Sequence, residues 1–169
     1  MFGKFLKRAG DKESLQGAEQ LVAVVRRELQ SADEESVQVV AAIAGLLGVV
    51  AYADRDYSRA EEDRVREELS RVHGMTASGV TAISAVLREH VLEVATVQAS
   101  RYCRTLRELA DPELKRDVLQ VLVDLAAADG EISHAEVNVL RQTAQALGLD
   151  QSDYNAAQAA HRDKLSFLR

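Results

Sequence analysis

Apolar residues recur at helical spacing along most of the chain, with charged residues between them. The stretch from about residue 13 to 30 carries apolar side chains every three or four positions, which predicts a helix. The run from Val39 to Ala53 is apolar on nearly all sides, so we expect it to form the central buried helix. At fifteen residues this run is shorter than the roughly 20 residues that a membrane span requires.

Capping signals divide the rest of the chain into further helices. Ser-x-x-Glu boxes at Ser31, Ser58 and Ser133 and an Asp-Pro pair at Asp111 predict helix starts. Asp150 predicts the start of a last helix that runs to about residue 164. The segment from residue 76 to 109 is too long for an ordinary helix, and we expect a break near residues 96–100. These signals predict an all-α bundle of seven to eight helices.

Two segments that lie 75 residues apart in the sequence are similar, residues 51–61 and residues 126–136. The identical pairs are Ala51/Ala126, Ala53/Ala128, Asp54/Asp129, Ser58/Ser133, Ala60/Ala135 and Glu61/Glu136. Each copy predicts a helix that ends at an aspartate, a short acidic turn, and a new helix at a Ser-x-x-Glu box. The repeat predicts an internal duplication about a pseudo-twofold axis, which would bring both acidic turns to one surface.

The acidic residues of the two turns are candidate metal ligands. An aspartate at a helix C-terminus faces the negative end of the helix dipole, at a cost of about 0.3–1 kcal/mol, and the chain has this arrangement twice. A divalent cation, calcium foremost, binds carboxylate oxygens and would offset that cost. The candidate ligands are Asp54, Asp56, Glu61, Asp129, Glu131 and Glu136.

A purely structural interpretation assigns most of these acids local tasks. Asp129 can close an Asx turn, Gly130 can supply a positive φ, and Glu136 can complete a capping box. The second turn is not a calcium EF-hand, because Leu125 and Ala127 occupy the first and third ligand positions. The first copy has Arg55 in place of the glycine, where it could act as an internal counter-ion.

Composition and charge limit the classes of function that we expect for the protein. With 169 residues, one proline and no tryptophan, the chain is the size of one helical domain. A formal net charge of −6 argues against nucleic-acid binding, which needs a cationic face. The single cysteine, Cys103, excludes an internal disulfide and suits a reducing cytoplasm, and we expect it to be a buried packing residue. No signal peptide is evident.

The first eight residues combine Phe2, Phe5 and Leu6 at helical spacing with Lys4, Lys7 and Arg8. This pattern allows peripheral contact with the inner membrane surface, and the alternative is that the segment frays or docks on the protein itself. We treat residues 1–12 as a short basic and apolar segment, and residues 13–169 as the helical domain. The four histidines show no paired ligand spacing, and no catalytic motif is present, so we expect a protein that is not an enzyme.

At its two acidic turns the chain resembles the TerB family of tellurite resistance proteins, whose domain also precedes some membrane-anchored DnaJ-like chaperones. The resemblance is carried by Ala126-Ala127-Ala128-Asp129-Gly130-Glu131-Ile132-Ser133-x-x-Glu136 and its echo at residues 51–61, and extends loosely from Gln16 to Gly148. It implies a pseudosymmetric bundle of seven or eight helices and a cytoplasmic role in metal or stress response, with protein partners and acidic metal-binding positions. Arg55 departs from the usual glycine.

Two functions follow from the sequence. The first is a non-enzymatic helical module that binds a divalent cation through its acidic turns. The alternative is an adaptor without metal that docks a protein partner on the acidic face or in a groove between helices.

Overall fold

The computed structural model describes residues 17–165, except for the side chains of Thr96 and Val97. Helix α1 covers residues 17–28 of this range. The other helices are α2 Glu34–Ala51, α3 Arg59–Ser70, α4 Ala77–Glu89, α5 Val91–Glu93, α6 Ala99–Leu109, α7 Pro112–Ala126, α8 His134–Ala146 and α9 Gln151–Gln158. A π-helical turn, Val94–Gln98, joins α5 to α6, and a 3-10 segment, Ala159–Lys164, follows α9. The predicted all-α fold is confirmed, since residues 17–165 contain no strand.

Helix α2 lies at the centre of the bundle, as the apolar run predicts. It packs against α3, α4, α6, α7, α8 and the π-helical turn, and its residues from Ala44 to Ala51 are all buried. At Gly45 the ring of Tyr102 approaches so closely that an added Cβ would lie 2.3 Å from its Cε2 atom. At Gly48 the nearest atom is Cδ2 of Leu87, at 3.1 Å. The two glycines therefore allow neighbouring helices to lie against α2.

Helix α2 also has the length and apolar character of a membrane span, with a mean hydropathy of 1.6 over 18 residues. Within residues 17–165 no other helix has both properties. Of this stretch, 61% is buried inside the protein, and a core helix of a soluble bundle has the same composition. The helix by itself does not place the protein in a membrane.

Several predicted boundaries differ from the structure. The box at Ser31 is not the start of α2, because Asp33 is the N-cap and its Oδ1 accepts from the N–H of Ser36 at 2.7 Å. The side chain of Glu34 instead binds the guanidinium of Arg26 at 2.7 Å, so it does not return to a cap. The long segment ends its first helix at Glu89, earlier than predicted, and its π-helical turn overlaps the predicted break.

The C-terminal part of the chain returns to the second acidic turn. Helix α9 ends at Gln158, six residues before the predicted end, and the 3-10 segment that follows bends at His161. The N–H of Ile132 donates to the carbonyl of Lys164 at 2.7 Å, and Leu165 is buried. Residues 1–8, and with them the predicted membrane contact, lie outside the described residues, so this contact stays a prediction.

Candidate functional site

The first acidic turn connects α2 to α3 through local hydrogen bonds. Asp54 Oδ1 accepts from the N–H of Asp56 at 2.8 Å, which closes an Asx turn. Arg55 between them has a φ of 69°. Ser58 caps α3, and Glu61 returns its Oε2 to the N–H of Ser58 at 2.9 Å. The predicted capping box is confirmed.

The second acidic turn, between α7 and α8, repeats these bonds. Asp129 Oδ1 accepts from the N–H of Glu131 at 3.1 Å, and Gly130 has a φ of 97°. Ser133 caps α8, and Oε2 of Glu136 accepts from the N–H of Ser133 at 2.7 Å. The two turns therefore have the same local structure. The wider pseudo-twofold duplication stays a prediction.

Arg55 occupies the position where the second turn has Gly130, and the left-handed backbone there disfavours a side chain. Since strain of this kind costs about 1–3 kcal/mol, we expect Arg55→Gly to raise the free energy of unfolding by about 1 kcal/mol. Gly130→Ala should lower it by a similar amount, because an added Cβ would meet no atom of the described part of the chain within 4 Å and only backbone strain acts. Urea unfolding of both variants tests this expectation. If both substitutions raised the free energy of unfolding, or both lowered it, the expectation would be wrong.

Arg55 does not serve as the internal counter-ion that the sequence allowed. Its side chain is exposed and forms no ion pair or hydrogen bond with a residue of the described range. The carboxylates of Asp56 and Glu131 are likewise exposed and contact no described cation, and these residues contribute backbone N–H groups to the turns. The charges of the outer turn residues therefore face solvent.

Glu61 and Glu136 are the buried members of the site. Their relative exposures are 3% and 2%, although both are acids. Burial raises the pKa of Glu61 to about 7, against the opposing hydrogen bonds from Ser58. Burial likewise raises the pKa of Glu136 to about 7, against the hydrogen bonds from Ser133. Both carboxyl groups therefore hold a proton far more readily than an exposed glutamate does.

The two acidic turns lie close together, since Ala60 of the first and Ala127 and Ala128 of the second line the same open cavity. The negative charges of Asp54 and Asp129 add to the rise in the pKa of Glu61, and those of Glu61 and Asp54 add to that of Glu136. Such effects require the carboxyl groups to lie near one another. Four of the six candidate residues, Asp54, Glu61, Asp129 and Glu136, thus lie within electrostatic range of one another. The expectation that duplication brings both turns to one surface stays a prediction.

These carboxyl groups do not form a ready-made ligand shell. Within residues 17–165 no group of three or more histidine, cysteine, aspartate or glutamate side chains is arranged to hold a metal ion. One oxygen of each aspartate closes its Asx turn, and one oxygen of each glutamate completes its capping box. Carboxylates are suitable ligands for a hard cation. In this structure, however, one oxygen of each already forms a hydrogen bond within its own turn.

A second polar cluster, which the sequence did not indicate, lies beside these turns. The ring of His161 hydrogen-bonds through Nε2 to Oδ1 of Asp124 at 2.7 Å, and Arg64 lies 3.7 Å from the other oxygen of Asp124. These side chains line an open cavity of about 540 Å³ between α3, α7 and the 3-10 segment. Asp124 and His161 are 37 positions apart. No local spacing could have indicated their contact.

Cys103 behaves as the sequence predicts. Its side chain is buried in α6, and burial raises the pKa of the thiol to about 11. A thiol with so high a pKa is a poor nucleophile at neutral pH. The position therefore suits packing.

A family model described as "Tellurite resistance protein TerB" matches residues 39–159 of the chain. This range starts inside α2 and includes both acidic turns, and it extends further toward the C-terminus than the similarity seen in the sequence. No curated protein and no solved structure matches the chain. Because the family match covers most of the 169 residues, the chain belongs to the TerB family of tellurite resistance proteins.

Proposed function

We propose that the protein is a non-enzymatic module of tellurite or metal stress response that binds one divalent cation, calcium foremost, where the two acidic turns meet. The observation that carries the proposal is the convergence of Asp54, Glu61, Asp129 and Glu136, two of them buried. Cytoplasmic location and action through protein partners belong to the same proposal.

The electrostatic repulsion between these carboxyl groups favours the binding of a cation. Two buried carboxyl groups with two further aspartates nearby repel one another when ionised, and burial adds to that penalty. A proton can relieve the repulsion, and so can a divalent cation, which brings two positive charges to the same place. Calcium takes six to eight oxygen ligands in flexible geometry, so backbone carbonyls and water would complete its shell.

Binding would use the oxygens that the local bonds leave over. Oδ2 of Asp54 and Oδ2 of Asp129 form no hydrogen bond or ion pair with a residue of the described part of the chain. Both aspartates are exposed, whereas Glu61 and Glu136 are buried. We therefore expect Asp54 and Asp129 to contact the ion most directly.

Thermal unfolding with a chelator, and then with millimolar calcium, magnesium, zinc or manganese, tests the proposal. A cation at about 100 times its dissociation constant stabilises the folded state by about 2.7 kcal/mol. For a domain of this size that corresponds to a rise in Tm of roughly 5–10 °C. We expect this rise for the wild type and its loss for Asp54→Asn/Asp129→Asn.

The matched control is Glu89→Gln/Glu108→Gln, which removes two exposed carboxylates outside both turns. This variant should respond to the cation as the wild type does. A rise of equal size in all three proteins would mean that the cation acts on general surface charge. No rise in the wild type would reject a cation site in the isolated protein.

The exposed acids also support the adaptor function as a second candidate. Asp54, Asp56, Asp129 and Glu131 present their carboxylates to solvent on two neighbouring turns. Such a surface complements arginine and lysine side chains of a basic protein segment. An adaptor of this kind would lose partner capture in Asp54→Asn/Asp129→Asn and would show no cation-dependent change in Tm.

A further inference from the structure

The arginines of α3 and the arginine that follows it, Arg71, lie on two different faces of the helix. Arg64 contacts Glu68 at 2.7 Å, and Arg71 contacts both Glu67 and Glu68 at 2.7 Å. This face packs toward α7, where Arg64 also approaches Asp124. Its guanidinium groups are thus neutralised within the protein. The opposite face of α3 has a different balance of positive and negative charges.

The face toward α4 borders an open cavity of about 510 Å³. The side chains that line it are Tyr57, Arg59, Glu62, Asp63, Arg66 and Arg88. Three guanidinium groups thus meet two carboxylates, although the whole chain carries a net charge of −6. A local excess of positive charge in an acidic protein attracts anions to this cavity.

The three arginines differ in whether an acid of the protein already neutralises their charge. Arg88 forms an ion pair with Glu62. Arg66 donates to the hydroxyl of Thr81 at 3.1 Å, which leaves its charge uncompensated by that bond. Arg59 is exposed and contacts no acid or hydrogen-bond acceptor among the residues 17–165. Arg59 and Arg66 are therefore the groups that can bind an anion.

Tyr57 places a further polar atom beside these arginines. Its hydroxyl is buried and has no hydrogen-bond partner among the described residues. Of the neighbouring charges, that of Glu62 acts on this hydroxyl most strongly, followed by those of Arg88, Glu61 and Arg66. A buried hydroxyl without a partner is unusual in a folded protein and costs free energy. Because Tyr57 lines the cavity, a bound ligand that reaches this hydroxyl by displacing the atoms that cover it would satisfy it.

We propose that this cavity binds a phosphate-type oxyanion through the guanidinium groups of Arg59 and Arg66, with the hydroxyl of Tyr57 as an additional donor. The planar guanidinium fork matches two oxygens of such a group, which gives short, charge-assisted hydrogen bonds. The group can belong to a soluble phosphate compound or to the headgroup of an anionic lipid. The cavity adjoins the first acidic turn, to which Tyr57 belongs, but its anion-binding groups are guanidinium groups, whereas the cation site that we propose consists of carboxylates.

The test uses the whole chain with a chelator present, so that it does not depend on the cation site. Inorganic phosphate is titrated against chloride of equal ionic strength, and binding is measured by calorimetry and by the change in Tm. Arg59→Gln/Arg66→Gln should weaken phosphate binding by roughly tenfold or more, from the usual strength of a hydrogen bond to a charged group. Arg101→Gln/Arg104→Gln, which removes two exposed arginines of α6, should bind phosphate as the wild type does.

Tyr57→Phe separates ligand binding from stability. Because the hydroxyl has no partner among residues 17–165, its removal should leave Tm without phosphate unchanged or higher. The same change should reduce the affinity for phosphate. A variant with unchanged Tm and unchanged affinity would exclude the hydroxyl as a ligand donor.

A second arm identifies the source of the phosphate. Vesicles of phosphatidylglycerol and of phosphatidylcholine are sedimented with wild type and with Arg59→Gln/Arg66→Gln. Retention on phosphatidylglycerol that the double variant loses assigns a lipid headgroup, and phosphate binding without such retention assigns a soluble compound. If neither phosphate nor phosphatidylglycerol binds in a way that depends on Arg59 and Arg66, the proposal is wrong.

Discussion

Replacing Glu61 and Glu136 together by glutamine is expected to stabilise the protein at pH 8 and to have little effect at pH 4. Burial raises the pKa of each glutamate to about 7 in the folded protein, whereas an unperturbed glutamate, as in the unfolded chain, has a pKa of 4.5. The folded state therefore binds these protons more tightly, and the contribution to stability is complete below pH 4.5. It is lost as the pH rises through about 7.

One carboxyl group with these two pKa values lowers the free energy of unfolding by about 3 kcal/mol across that range. The amide of glutamine is neutral at every pH, and its oxygen can still accept from the N–H groups of Ser58 and Ser133. The difference in stability between Glu61→Gln/Glu136→Gln and the wild type should therefore grow by at least about 3 kcal/mol from pH 4.5 to pH 8.

Urea unfolding at several pH values measures this difference. Asp56→Asn/Glu131→Gln is the control, since it removes two exposed carboxylates from the same turns. The difference in stability between this control and the wild type should change less with pH than the difference for Glu61→Gln/Glu136→Gln. A pH-independent difference for the buried pair would mean that the two glutamates ionise in the folded protein as easily as in the unfolded chain.

The largest expected loss of stability from a small change is at Gly45 of α2. An alanine there would place its Cβ 2.3 Å from the Tyr102 ring, so the ring and α6 would have to move. Overpacking of this kind costs about 1–3 kcal/mol and occasionally more, against a gain of about 1 kcal/mol in helix propensity. We expect Gly45→Ala to lower the free energy of unfolding by about 2 kcal/mol.

Gly48→Ala provides the matched comparison, because it lies on the same helix. Its new Cβ would meet the flexible end of Leu87 at 3.1 Å, which can shift at little cost. Gly48→Ala should therefore be neutral or slightly stabilising in the same urea unfolding experiment. Equal losses at both positions would show that α6 does not hold Tyr102 tightly against Gly45.

The turns could be predicted because their bonds are local. Ser58 and Glu61 are three positions apart, as are Ser133 and Glu136, and such spacing determines a capping box with little influence from the rest of the fold. At the start of α2, Ser31 and Asp33 compete for the same cap, and sequence alone did not indicate that Asp33 would be used. Local rules cannot choose between two adjacent caps.

The contacts between distant segments could not be derived in this way. Burial of Glu61 and Glu136 depends on how α3 and α8 pack, and neither residue differs in its sequence context from an exposed capping glutamate. The cavity between α3 and α4 likewise requires Arg66 and Arg88 to meet across two helices. The sequence repeat indicated which residues have the same local role in the two turns. Which of these residues lie close together in space is shown only by the fold.

Calorimetric titration of calcium at pH 7, in two buffers with different ionisation enthalpies, tests the cation site most directly. Because Glu61 and Glu136 have pKa values of about 7, they carry protons for part of the time at this pH. We predict one ion bound per chain, with release of protons to the buffer, and loss of both in Asp54→Asn/Asp129→Asn. Absence of calcium binding in the millimolar range, or identical binding by that variant, would contradict a cation site at the paired turns.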